Sequence, residues 1–569
     1  MKRNTWKRIM ALGMAAIMAT GMLACGGSDG KDSASTSDKA ETSGDEGILT
    51  EAGTYPIVKE GKELELTIFT MSMPNVEDFE TNDFTLYLEE LTGIDLTFVT
   101  GSRDDWSEKL NMLLNSGDYP DVILGVTPDI AKYGVSEQIL VPLDDYMNAD
   151  VVPNYMALME ENGYDINVCR ETDGKIYSMV NVNDCFHCKF ARKMWVNTAI
   201  LDQLGMEIPE TTDEFKAVCE AFLEKNPNGI AVAGATSGWF TRVQDWLLGA
   251  YTFIPSSSYT LGVKDYVVLD TETDKVMNVA TTDAYKEGLK FMHELYEMGA
   301  IYDGTFTQAS EQLKQVVNQE DVLFFPAGTI SDIIDSASNN ELYRKYECMA
   351  PIAGPDGTRI AWTIGNYGVS SGAVTITEDC ENVEAALRLM DFFYGPTGDL
   401  MSQYGSEEGT DWVLNPEGKF GLNGEPATYE VLNTYSGEAQ NHDWQDVGIR
   451  VATESYRLGQ AVETGVDPYA PEGLELLLFN ASKDLYEPYS ALETSKLQQN
   501  DELKITSEES DSVSTIVVEI NKIIHEDQTA FITGTKDIDK EWDAYVESLN
   551  AAGMEELLAF YQTAYDRTK

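Results

Sequence analysis

The chain has 569 residues, 43% hydrophobic and 24% charged, with 39 basic against 97 acidic side chains and a formal net charge of −58. That length exceeds one compact core and predicts two or more lobes, by the guide of ~100–200 residues per domain. So acidic a surface repels nucleic acid and anionic bilayers, which excludes both as direct partners.

Lys2, Arg3, Lys7 and Arg8 precede the apolar run IMALGMAAIMATGMLA, which is short for a membrane span and ends on small residues. This pattern predicts a signal peptide over residues 1–24. Met22-Leu23-Ala24-Cys25, followed by two glycines, resembles a bacterial lipobox with Met22 where leucine is usual. Cys25 is then the lipid-bearing first residue of the mature chain; an ordinary signal peptide with an unrelated cysteine is the plainer alternative. A polar tether is expected over residues 25–52. Its stretch GGSDGKDSASTSDKAETSGDEG (26–47) has no apolar period, and as a coil it reaches about 25 Å, at ~5–6 Å times the square root of length.

ELELTIFT (63–70) reads as a buried strand, and FTLYLEELTG as a helix stopped by Gly93. IDLTFVT (94–100) is a second strand, DDWSEKLNMLLNSGD a helix, and YPDVILGV a third strand. This alternation predicts an open α/β layer with a parallel sheet. A second α/β region is expected after residue 185. Its helix TTDEFKAVCEAFLEK carries a Thr211–Glu214 capping box and an apolar face of Phe215, Val218, Cys219 and Phe222. AYKEGLKFMHELYEMG (284–299) is helical, and EDVLFFPAGT (320–329) is a strand leading into a helix N-terminus. GVSSGAVTIT (368–377) is a strand, ENVEAALRLMDFFYG a helix, and the last ~60 residues are mostly helical, with Ile516, Ile520, Ile523 and Ile524 in one stripe.

Gly368-Val369-Ser370-Ser371-Gly372 matches the nucleophile-elbow pattern, but the motif runs into the strand AVTIT instead of opening a helix, and the chain has four histidines. A glycosidase carboxylate pair is not singled out by any spacing. Neither an EF-hand loop nor a P-loop is present, so no cofactor is expected, with structural calcium left open. NDCFHCKF (183–190) places a histidine between two cysteines. Structural zinc wants four ligands at two coupled spacings, and only one Cys-x-x-Cys exists. A c-type haem wants His where Lys189 stands, and thioredoxin chemistry wants a helix N-terminus where CKFARKMWVN reads as strand. Export permits disulfides, with the pairing of Cys185, Cys188 and Cys169 open.

SGDYPDVI (116–123), DGKIYSMV (173–180), KMWVNTAILDQLGMEIPETTDEF (193–215) and FITGTKDIDKEWDAYVESLNAAGMEELLAFYQTAYDR (531–567), in this order, resemble the family 1 extracellular solute-binding proteins. The likeness is greatest to their LipO-like lipoprotein branch and covers residues 55–567. It implies a type II periplasmic-binding-protein fold, with two α/β lobes about a ligand cleft and hinge strands crossing near 181–190 and 362–372. Lobe one would take 55–183 and 368–440, and lobe two 187–365 and 441–569. The implied function is capture of an oligosaccharide and its delivery to the permease of an ABC importer, by a monomer held to the extracellular face of the membrane through its lipid. A same-fold receptor for a peptide or other solute is the alternative, and a surface glycoside hydrolase the more distant one.

A sugar cleft needs aromatic platforms for C–H faces and polar side chains for hydroxyls. Trp239, Trp362, Trp412 and Trp444 lie in Gly- or Asp-rich connections and are the platform candidates, joined by Tyr367. Trp195 and Trp542 are expected in cores, and Trp106 is ambiguous. Asn75, Asp121, Asn183, Asp184, Arg242 and Asn366 are the polar candidates. For Asp121 a strand-end turn carboxylate is the competing role, and for Asn75 a loop residue bonding its own backbone.

Overall fold

The computed structural model describes residues 47–567 apart from 74–75, 103–104, 256–265, 320, 337, 364–367, 434–438, 446, 464, 471–472, 492–502, 504 and 506, and apart from the side chains of 507, 508, 510 and 511. The signal peptide, Cys25 and Asn75, Asn366 and Tyr367 thus lie outside the described residues. Residues 48–569 form one compact unit.

Strands are numbered along the chain, with β7 (Val267–Asp270) and β8 (Lys275–Asn278) forming one two-stranded sheet and β12 (Trp412–Leu414) and β13 (Tyr429–Val431) another. Lobe one holds β1 (Glu65–Ser72), β2 (Asp95–Ser102), β3 (Val122–Leu124), β4 (Ser178–Asn183), β11 (Val369–Ile376) and β14 (Val451–Ala452) in one sheet, ordered β14-β4-β11-β3-β1-β2. β1 is parallel to β2 and β3, while β11 runs antiparallel between β3 and β4. The helix Asp83–Thr92 starts where the Asn82 side chain accepts from Phe84 N–H, and it stops at Gly93, whose φ of 73° is left-handed. Its buried face, Phe84 and Leu88, meets Phe393 and Trp444 in the lobe-one core.

Lobe two holds β5 (Met194–Asn197), β6 (Ile230–Val232), β9 (Val322–Pro326) and β10 (Tyr346–Met349), ordered β10-β5-β9-β6. The helix Thr212–Lys225 has both halves of its capping box and buries Phe215, Val218, Cys219 and Phe222. Phe215 stacks on Phe324 of β9 at 4.5 Å between centroids. The helices Ser507–Ile532, Ile538–Ala551 and Met554–Asp566 join the same core through Ile524, Phe531, Trp542 and Tyr561.

The structure corrects four expectations. Residues 443–458 belong to lobe one, because β14 pairs with β4 and Trp444 sits in the lobe-one core; two-residue β14 leaves no periodic pattern to read. Residues 48–52 are docked, with Thr50 N–H donating to Ile57 O and the Arg388 guanidinium donating to the carbonyls of Thr50 and Glu51. The run CKFARKMWVN is not continuous strand. A 3₁₀ turn, Phe186–Phe190, is closed by a Cys185–Cys188 disulfide before β5 begins. After β9 the expected helix is a short 3₁₀ turn, Ile330–Asp332, capped by Thr329.

Candidate functional site

Sheet register fixes which edge of each lobe carries the crossing segments. In lobe one, β1, β2, β3, β4 and β14 end at one edge, and antiparallel β11 begins there. The chain leaves lobe one at that edge after Asn183 and returns to it at Gly368. In lobe two, β5 begins where antiparallel β9 and β10 end, with Met194 opposite both Pro326 and Met349, and β6 ends there too. Crossing segments therefore join carboxyl edge to carboxyl edge. In open α/β sheets ligands bind in the crevice outside the carboxyl ends of the strands.

Three loops build the lobe-two side. The loop after β6 carries Trp239 and Phe240, the loop after β9 carries Gly328, and the loop after β10 carries Trp362. Trp239 lies over Gly328, where any Cβ would stand 2.4 Å from the indole, and its carbonyl accepts from Gly328 N–H at 2.8 Å. Phe240, with a positive φ of 56°, packs 4.6 Å from Trp362 and 6.0 Å from Trp239. Beneath them the Arg192 guanidinium stands 5.6 Å from the Trp362 ring and donates to the carbonyls of Asp245 and Ile254. Trp239 alone of these aromatics is half-buried; Phe240 and Trp362 are buried.

Beside this ledge the first crossing is held by charge. Lys189 Nζ is 2.7 Å from both Asp184 and Glu454, and Tyr164 donates to Asp184. Burial works against the Lys189 charge, yet its bonds to the two carboxylates hold its pKa above the ordinary lysine value. Asn183 Oδ1 accepts from the Arg457 guanidinium. On the lobe-one side the described edge residues are Met71–Met73, Thr127 and Ser370–Ser371, half-buried or exposed.

The structure brings Trp239, Trp362, Asn183 and Asp184 to these edges. Four other candidates lie elsewhere. Trp444 is 1% exposed, packed by Phe84, Phe98 and Phe393, with its indole N–H on Thr85. Trp412, 2% exposed, belongs to a small apolar cluster with Leu400 and Tyr429 and donates to Gly405 O. Asp121 lies at the amino end of β3, the edge opposite the crossings, where Oδ2 accepts from Thr67 N–H. Arg242 is buried in lobe two, 3.3 Å from Asp245 and bonded to Tyr266. Ser370 is within β11 opposite Asn181, so no nucleophile elbow forms. Sequence reasoning missed Arg192, Phe240, Lys189, Glu454 and Arg457. Phe240, beside Trp239 in GWF, was the one with a readable signal.

Two α/β lobes meeting at their strand carboxyl edges define a two-lobed solute-binding fold. Residues 75–399, more than half the chain, match the family of bacterial extracellular solute-binding proteins, and the chain belongs to that family. The fructooligosaccharide ABC transporter substrate-binding protein FusA of Streptococcus pneumoniae is 25% identical over 489 residues, spanning 84% of this chain and 86% of FusA. Lipoprotein LipO of Bacillus subtilis is 24% identical over 330 residues, 56% of this chain and 60% of LipO. The crystal structure of FusA with kestose superposes with a TM-score of 0.67 at 22% identity, covering 88% of this chain and 99% of that one. An HMO-binding solute-binding protein from Bifidobacterium longum infantis gives 0.69 at 17% identity, over 89% of this chain and 99% of its own. Among the described residues no helix is long and apolar enough to cross a membrane.

Proposed function

We propose that this protein is the lipid-anchored receptor of an ABC importer, holding an oligosaccharide between its two lobes on the extracellular face of the membrane. The observation that carries the reading is half-buried Trp239, fixed over Gly328 in a loop at the carboxyl edge of the lobe-two sheet. A sugar's C–H face stacks on such a ring, while serine and threonine at the lobe-one edge meet its hydroxyls. FusA, named for fructooligosaccharides, makes kestose and longer fructans the first ligands to try. Closure of the lobes follows from a ligand that touches both of them. Cys25 carries the lipid, and the tether lets the body stand off the membrane.

Tryptophan fluorescence and calorimetry with fructans, milk oligosaccharides and peptides test the reading. Saturable binding of a glycan that is recovered intact is expected. Silence across the glycans, with a peptide bound or co-purified, overturns it in favour of a peptide receptor. Cleavage of the glycan makes the protein a hydrolase.

A further inference from the structure

We propose that Cys185, His187 and Cys188, with the disulfide reduced, form a zinc site at the first lobe crossing. The two sulfurs and one imidazole nitrogen already lie within 4.8 Å of one another. His187 Nδ1 is 3.8 Å from Cys188 Sγ. Around tetrahedral zinc, with Zn–S of ~2.3 Å and Zn–N of ~2.0–2.1 Å, an S···N edge measures about 3.6 Å. The S···N edge is thus close to a coordinating one, and the sulfurs, bonded to each other in the disulfide, part to about 3.8 Å on reduction and metal binding.

The other imidazole nitrogen is also provided for. Nε2 lies 3.2 Å from Glu475 Oε2. A carboxylate there holds the ring proton on Nε2 and leaves the Nδ1 lone pair facing the sulfurs, as second-shell carboxylates do for metal-bound histidines. The turn does not rest on the disulfide alone. Cys188 N–H donates to Cys185 O at 3.1 Å, and the buried Lys193 ammonium donates to the carbonyls of His187 and Phe190 at 3.0 and 2.7 Å. Those bonds persist when the sulfurs part. Three protein donors leave the fourth position to solvent, so the single Cys-x-x-Cys, too little for a closed structural site, suffices for an open one.

The reductant is a low-molecular-weight thiol. Its thiolate attacks Sγ of Cys188, half-buried where Cys185 is 2% exposed, and Cys185 leaves as thiolate. A second thiol resolves the mixed disulfide, so that two electrons and two protons reach the protein and the small thiol departs as its disulfide. Zinc then binds the two thiolates, releasing the thiol protons. Disulfide and metal are thus alternative occupants of one turn.

The test uses the full chain carrying Cys25→Ser, oxidised or reduced under nitrogen, with Zn²⁺ uptake measured against a chromophoric chelator and Co²⁺ as the spectroscopic probe. The reduced protein should bind one Zn²⁺ and give thiolate-to-cobalt charge-transfer bands, and the oxidised protein neither. His187→Ala should weaken zinc by at least about tenfold and Glu475→Gln by about tenfold, with circular dichroism unchanged. The four buried cysteines outside the disulfide, Cys169, Cys219, Cys348 and Cys380, are the competing source of thiols. Uptake that survives Cys185→Ser/Cys188→Ser, or is unaltered by His187→Ala, overturns the assignment. So does a reduced chain that takes up no zinc or that unfolds.

Discussion

Trp239 and Trp444 show at the level of single residues what separates a binding surface from a core. Both follow polar, turn-forming residues, and the local sequence treats them alike. What buries Trp444 is a ring of phenylalanines from three distant segments, Phe84, Phe98 and Phe393, centred 5.1–5.8 Å away. No window of sequence contains that information. Trp444→Ala should therefore cost ~3–5 kcal/mol of stability, the range for a large aromatic lost from a core, read as a fall in the denaturant midpoint. Trp239→Ala, removing a half-buried ring packed on Gly328 and Phe240, should cost less stability than Trp444→Ala while weakening glycan binding by about thirtyfold, ~2 kcal/mol for an anchoring aromatic. An equal affinity for Trp239→Ala and the parent chain removes Trp239 from the site.

Elements with local causes were legible. The capping box of Thr212–Lys225 and the glycine stop of Asp83–Thr92 depend on residues three or ten positions apart and formed as expected. The short strand β14 was not, because its partner β4 lies far away in the chain, and the turn Phe186–Phe190 was not, because a disulfide and Lys193 bonds to its carbonyls shape it and leave no hydrophobic period to read. The helix Ser507–Ile532 carries a further consequence. Its His525 has its pKa pushed down from 6.5 to about 4, first by burial and then by the Arg242 charge, against a smaller opposing effect of Asp245. The unfolded chain takes up this proton below about pH 6.5, the folded chain only near pH 4. Stability should then fall as pH drops from about 6.5 to about 4, by up to ~3 kcal/mol from this group. His525→Phe should flatten that limb in urea melts at stepped pH, and an unchanged slope would remove His525 as its source.

For the molecule as a whole, the family likeness made the two-lobed plan readable, whereas the third passage between lobes, expected at 440/441, falls later in the chain. After lobe-one residues 451–458 the chain passes to lobe two, where Asn340 and Arg344 bind Tyr469 and Asp467. Three connections restrain a hinge to one principal motion. Small-angle scattering should record a smaller radius of gyration with saturating glycan, and an unchanged radius argues against closure. Cys25→Ser should move the protein from the membrane fraction to the medium, and retention would point to a different anchor.

The interleaving of the lobes also bears on how the chain acquires its structure. Lobe one lacks a sheet strand until residue 452 exists, and the lobe-two core awaits Trp542, Leu549 and Tyr561. Neither lobe can be completed from the N-terminal two-thirds of the polypeptide. Contacts this distant in sequence slow folding, since large loops must close before their pairings contribute. During synthesis or passage across the membrane a premature stop before residue 451 should leave both lobes unfinished, and one between residues 459 and 540 should leave lobe two without its closing helices.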